Sequence, residues 1–132
     1  MAAATPAGAP KGEVAIMTVA MPADANPMGD IFGGWLLSQM DIAGGVAASA
    51  RAKGRTATIG VKEMEFHKPV KVGDRLTCYA EVTRIGRTSL TIAIEAWTTN
   101  HYHQTKPSKV TEGVFTFVAL DDNGKPRPVP GL

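Results

Sequence analysis

The spacing of hydrophobic and polar positions along the chain changes period twice. Residues 13–22, EVAIMTVAMP, are a short apolar run closed by Pro22, which predicts a strand. A loop rich in Asn, Pro and Gly follows, and from 34 to 53 apolar residues recur at helical spacing until Gly54 stops them. TATIGVKEMEF (56–66) returns to strand character, and Pro69 with VGD (72–74) marks the next turn. In RLTCYAEV, Leu76, Cys78, Ala80 and Val82 face one way and Arg75, Thr77, Tyr79 and Glu81 the other. RIGRT turns the chain into SLTIAIEAW, which sets Leu90, Ile92, Ile94 and Ala96 on one face. HYHQTKPSK predicts a loop and VTEGVFTFVAL the last strand. DDNGKPRPVPGL, with three prolines after Gly124, predicts an extended, exposed tail.

The order of elements is therefore one strand, one long helix and four strands. The connections after the helix are short enough for antiparallel pairing, and one helix covers one sheet face, so the class is α+β. Uncovered strand edges and helix flanks predict oligomerisation. The expected organisation is a disordered tail over 1–12, a folded domain over 13–121 and an extended tail over 122–132.

Composition narrows the classes. A chain of 132 residues forms one domain, and its net charge of +2 supplies no strong field for nucleic acid or a membrane surface. No apolar run has the roughly 18 residues needed to span a bilayer. The first twelve residues have neither a basic n-region nor a leucine-rich h-region, so they read as a tail and not as a signal peptide. Cys78 is the single cysteine, which excludes an intrachain disulfide and fits a reducing cytoplasm.

Candidate chemistry starts at Asp41, a lone carboxylate in the apolar run GGWLLSQMDIAGG. Burying such a group costs several kcal/mol unless it is paired. Its helix face carries Leu37, Ser38, Gly44 and Gly45. Two helix-interior glycines cost roughly 1 kcal/mol each, so something packs closely there, either backbone or a slender ligand. Asp41 is then either a core polar group bonded to Ser38 or to the sheet, or a chemical one. Gly33 and Gly34 fall in the first helical turn, where amides lack intrahelical partners and can stabilise an oxyanion. They would equally form a tight entry turn, while a phosphate loop is excluded because no Gly-Lys-Ser/Thr follows. Ser38, Ser49, Ser89 and Ser108 lack the Gly-x-Ser-x-Gly context of an activated serine, and Cys78, on an apolar face, reads as packing.

Cations gather at Arg84 and Arg87, with Thr88 and Ser89 beside them, and at Lys68 and Lys71. They suit a phosphate-bearing ligand or ordinary solubilisation of a turn. His101-x-His103 has no third ligand at helpful spacing and reads as a polar loop, so no metal site is expected. His67 reads as structural, and Trp35 and Trp97 as packing residues.

In order along the chain, AMPADANPMGDIFGGWLLSQMDIAG, FHKPVKVGD, RIGRTSLTIAIEAW and VFTFVALDDNGKPR resemble the hot-dog-fold acyl-CoA thioesterases of the bacterial YciA type, from about Val14 to Pro130. The resemblance implies a curved antiparallel sheet of about five strands wrapped around one long helix. It implies hydrolysis of acyl-CoA to a carboxylic acid and CoA, without metal or cofactor. Asp41 would be the catalytic carboxylate, with Asn26 and the Gly33 and Gly34 amides binding the thioester carbonyl or the attacking water. It favours Arg87, Thr88 and Ser89 for the CoA phosphates over Arg84, Lys68 and Lys71. It also implies dimers that associate further, commonly into hexamers.

Chemistry alone agrees, since a carboxylate in an apolar groove serves as general base or as nucleophile. Two other readings remain. A non-catalytic acyl-CoA-binding module would need an output domain for which the chain leaves no room. A hydratase or dehydratase would need a histidine near the helix, and none lies between Asn26 and Gly54. Helix geometry adds a constraint. At 1.5 Å per residue the Gly33 and Gly34 amides lie roughly 10–12 Å from Asp41 along the axis, whereas both must approach one carbonyl within about 3–3.5 Å. A composite site follows, with Asp41 from one subunit and Asn26, Gly33 and Gly34 from its partner across a twofold dimer. Close helix approach there would account for Gly44 and Gly45.

Overall fold

The computed structural model describes residues 8–100 and 106–131. The chain runs through β1 (Glu13–Val19), a 3-10 turn (Pro22–Asp24), α1 (Gly33–Ala52), β2 (Thr56–Phe66), β3 (Asp74–Ile85), β4 (Ser89–Asn100) and β5 (Ser108–Ala119). The five strands form one sheet in the order β1-β3-β4-β5-β2, antiparallel at every step. α1 lies across one face and touches all five strands. This is the α+β hot-dog architecture expected above.

The alternation read from the sequence sets the core. Leu76, Cys78 and Ala80 of β3, Leu90, Ile92, Ile94 and Ala96 of β4, and Phe115 and Phe117 of β5 all point at the helix. Leu36, Met40, Ala43, Ala48 and Ala52 answer from α1. Each fully buried large side chain contributes about 1.5–3 kcal/mol. The helix meets the sheet through small residues, and Gly44 is where the approach is tightest. A Cβ there would lie 2.7 Å from Ile94 Cδ1 and 2.8 Å from the Phe117 ring. Gly44 therefore accommodates the chain's own sheet, which corrects the expectation that it makes room for a partner helix, while a Cβ at Gly45 would meet only the Phe117 ring at an ordinary 3.9 Å.

Pairing between neighbours in sequence holds for β3–β4 and β4–β5 but not for β2–β3. The long helix carries the chain across the sheet, so β2 lands on the far edge and pairs with β5. Two register breaks, between Thr58 and Gly60 and between Lys62 and Glu65, distort β2, and Glu63 takes a left-handed φ of 53° at the second. That accommodates one extra residue against β5 and lays Met64 over Gly113.

The C-terminal segment is mostly exposed, as expected, and after a turn at 122–124 it is extended, but it is also docked at Arg127, Val129 and Pro130. Val129 packs on the core, Arg127 Nη2 donates to the Ala52 carbonyl (2.8 Å), and Arg51 Nη1 donates to Pro130 (2.8 Å). An isolated antiparallel bridge joins Leu120 to Pro126, and beyond it the Arg51 guanidinium reaches the tail carbonyls. Of the expected N-terminal tail, 1–7 lie outside the described residues, and the Lys11 amide donates to Glu95 Oε1 at 3.2 Å. His101 and His103 also lie outside them.

Candidate active site

Three elements carry the candidate residues: the loop ahead of α1, α1 itself and β2. The loop ahead of α1 is folded on Asn26, whose Oδ1 accepts from the amides of Met28 (2.9 Å) and Asp30 (3.1 Å). The Asn26 amide donates to the Asp30 carbonyl at 2.6 Å. Such Asx turns fix a loop locally. With Oδ1 taken, Nδ2 remains a donor, with no acceptor among the described residues. Lys71 forms an ion pair with Asp30 and pins the loop base.

α1 begins without a capping side chain, because its N-cap position is Phe32. The amides of Trp35 and Leu36 return to the Phe32 carbonyl (3.1 and 3.3 Å). Those of Gly33 and Gly34 have no acceptor among the described residues. A Ser or Asp cap would have taken up a first-turn amide. The space beside Gly34 is open to 4 Å, and Gly33 meets only the Phe66 ring at 3.7 Å. Two adjacent donors thus stand uncovered at the positive end of the helix dipole.

Asp41 follows two turns later and is half-buried. Thr58 Oγ1 of β2 donates to its Oδ1 at 2.6 Å. Ser38 turns instead to the Trp35 carbonyl at 2.7 Å, so of the two partners considered for Asp41 the sheet is the one observed. No cation pairs with Asp41 among the described residues. It borders a groove of about 320 Å³ lined by Gly34, Leu37, Ser38, Asp41, Thr58, Val61 and Phe115. A second groove of about 280 Å³ opens on the Gly33 side, lined by Ile31, Gly33, Leu36, Phe66, His67, Lys68, Pro69 and Val70.

Thr58 was not found from the sequence. In TATIGVKEMEF it is one β-former among several, and only the tertiary placement of β2 along α1 brings its hydroxyl to the acid. Asn26, Gly33, Gly34 and Asp41 all sit at the loop–helix junction or on the helix, as predicted. Arg84, Arg87, Thr88 and Ser89 line neither groove. Arg87 and Thr88 form the tip of the β3–β4 hairpin, closed by Gly86 N donating to Ser89 O at 2.8 Å. Lys68 borders the Gly33 groove, and Lys71 is engaged by Asp30.

On the rim of the Gly33 groove, His67 Nε2 lies 2.7 Å from Glu112 Oε2. That bond, with Lys109 assisting, holds the Glu112 carboxyl below the usual carboxylate range. Burial pushes the Cys78 thiol up to about 12. Trp97 is buried and donates to Glu95 at 2.9 Å, and Trp35 packs on the core. Among the described residues no group of three or more His, Cys, Asp or Glu could hold a metal, and no helix is long and apolar enough to cross a membrane.

Known proteins resemble this chain in sequence and fold. Residues 28–102 match the thioesterase superfamily. The acyl-CoA thioester hydrolase YciA of Salmonella typhimurium is 49% identical over 123 residues, covering 92% of each chain. The hexameric thioesterase of Yersinia pestis is 50% identical and superposes with a TM-score of 0.88, covering 94% of this chain and all of that one. An acyl-CoA hydrolase of Staphylococcus aureus, solved with butyryl-CoA, CoA and CoA disulfide, is 30% identical with a TM-score of 0.80, covering 88% of this chain and 70% of that one. That enzyme has also been solved with an asparagine and, separately, a threonine replaced by alanine. The interval between those two positions equals that between Asn26 and Thr58 here.

Proposed function

The chain belongs to the thioesterase superfamily, and we infer that it is an acyl-CoA thioester hydrolase in which Asp41 is the general base. One observation carries this reading. An unpaired carboxylate, oriented through one oxygen by Thr58, stands in a mostly apolar groove on a helix whose first two amides are uncovered.

The chemistry is as follows. Thr58 holds Oδ1, so Oδ2 takes a proton from water while the water oxygen attacks the thioester carbon. The charge that develops on the carbonyl oxygen is met by the Gly33 and Gly34 amides and by Asn26 Nδ2. The tetrahedral intermediate collapses by breaking its C–S bond, and the CoA sulfur leaves and takes up a proton. Arg87, with Thr88 and Ser89, binds the CoA phosphates, and Arg84 and Lys68 are secondary contacts.

The site is shared between two subunits. Gly34 and Asp41 border one groove but stand two helical turns apart on a continuous helix, so the donors for a given Asp41 come from a partner. β2 supports this. It is a sheet edge beside the groove, and it exposes Ile59 (61%) and Phe66 (55%), an apolar edge suited to a second copy. Dimers of this kind would assemble as trimers of dimers, in keeping with the hexameric Yersinia relative. A cytoplasmic setting belongs to the same proposal, supported by a lone, buried free thiol.

The test is release of free thiol from acyl-CoA. Wild type should turn over and Asp41→Ala should not. Mixing inactive Asp41→Ala with inactive Gly34 or Asn26 variants under subunit exchange should recover activity, because each mixed dimer holds one intact site. If mass spectrometry shows exchange and no activity returns, the shared site is wrong.

A further inference from the structure

Resting on the assignment of Arg87 to the CoA phosphates, we propose that the C-terminal tail is a positioning element of that subsite, holding the arginine-bearing turn from outside its hairpin. A hairpin tip closed by a single bond, Gly86 N to Ser89 O, has little to fix the backbone of the two residues it presents. Here both of their carbonyls are held by other parts of the chain. Thr88 O accepts from the Ala119 amide at the end of β5 (2.8 Å), and Arg87 O accepts from the Val129 amide of the tail (2.9 Å). The Arg87 side chain remains exposed, with no ion-pair partner among the described residues.

The tail is itself firmly anchored. After β5, Asp121 Oδ1 accepts from the amides of Asn123 (2.8 Å) and Lys125 (2.9 Å), which reverses the chain. Arg127 then returns its amide to Ala119 O (2.9 Å), its Nε to Leu120 O (2.9 Å) and its Nη2 to Ala52 O, the last residue of α1. Arg51 holds Pro130 from the same helix end. A continuous set of contacts therefore runs from the helix that carries Asp41, through the tail, to the Arg87 turn. Fixing the backbone of a guanidinium-bearing turn before binding lowers the ordering cost of each phosphate contact. The gain applies only to substrates that carry the nucleotide end.

Val129→Pro tests this, because it removes one N–H in an extended segment already flanked by prolines. KM for acyl-CoA should rise about threefold to tenfold, the size of one net hydrogen bond, with kcat unchanged. Turnover of the matching acyl-pantetheine thioester should not change. Val129→Ala, which keeps the amide, should behave as wild type towards both substrates. A chain ending after Pro128 gives the same readout should Val129→Pro fail to fold. Arg87→Ala, measured alongside, separates the two levels of inference. If Arg87→Ala raises the acyl-CoA KM selectively and the Val129 change does not, the tail has no positioning role. If Arg87→Ala is itself unselective, the phosphate assignment fails and this inference falls with it. Equal losses on both substrates, or failure of both tail variants to fold, would make the tail a folding element and overturn the proposal as well.

Discussion

Two glycine doublets lie on one helix, and Gly44 of one does the opposite of Gly34 in the other. Gly44 faces the sheet, where any Cβ would overlap Ile94 and the Phe117 ring. Gly34, ten residues earlier, has nothing within 4 Å, and its amide and that of Gly33 have no acceptor among the described residues. In the C-terminal half of the helix glycine permits close packing of the protein against itself. In the N-terminal half, on the reading proposed above, it leaves donors bare for a substrate. The sequence shows the same residue doublet in both places, and only the neighbours distinguish them. A missing side chain is thus evidence of close approach without saying by what.

The division into a packing half and a chemical half can be broken in four ways, with effects of decreasing size. Asp41→Asn should cut kcat by about 10²- to 10⁴-fold, the usual worth of a general base, with secondary structure and assembly unchanged. Near-wild-type turnover would remove the chemistry from this half of the helix. Thr58→Val should lower kcat/KM by roughly tenfold to a hundredfold, because a hydrogen bond to a charged group is lost without loss of volume. An unchanged rate would show that the helix alone orients the acid. Gly44→Ala should destabilise by a net of about 1–2 kcal/mol, since overlap with the rigid Phe117 ring outweighs the gain in helix propensity. Calorimetry should then find Tm lower by several degrees, with turnover per folded molecule unaffected. Gly34→Ala should do the reverse. It should stabilise by about 0.5–1 kcal/mol through helix propensity, while placing a methyl group beside the donors and slowing hydrolysis. A stabilised Gly34→Ala enzyme of full activity would make those two glycines a simple entry turn.

These contrasts mark what the sequence could tell. β3 and β4 were readable because apolar residues alternate along them, and Leu76, Cys78, Leu90, Ile92 and Ile94 report the buried face residue by residue, although Thr77, Glu95 and Trp97 on the other face are buried too. β2 was recognisable as a strand but not in its details, since two register breaks scramble its alternation. Its edge position depends on where a twenty-residue helix delivers the chain, which no local pattern encodes. Asp41 was conspicuous as a charge among apolar neighbours, and Gly33 and Gly34 as glycines in the first helical turn. Thr58 was not, because threonine is ordinary in a strand and its partner lies 17 positions away. The docking of the tail was missed for a related reason. Prolines forecast the extended backbone, but the donors that dock it belong to Arg51 on another element and to Arg127 within the tail itself.

Cys78 has a practical consequence. Burial that pushes its thiol up to about 12 keeps it protonated at neutral pH, and the sulfur lies wholly within the core. A colorimetric reagent that traps sulfhydryls would thus count liberated coenzyme against a silent protein background. In the absence of substrate, the same reagent becomes a stopwatch for the sheet. Cys78 can be modified only when β3 parts from the helix, so the labelling rate reports how often the molecule opens. The chain carries its own stability gauge, with no label to be introduced.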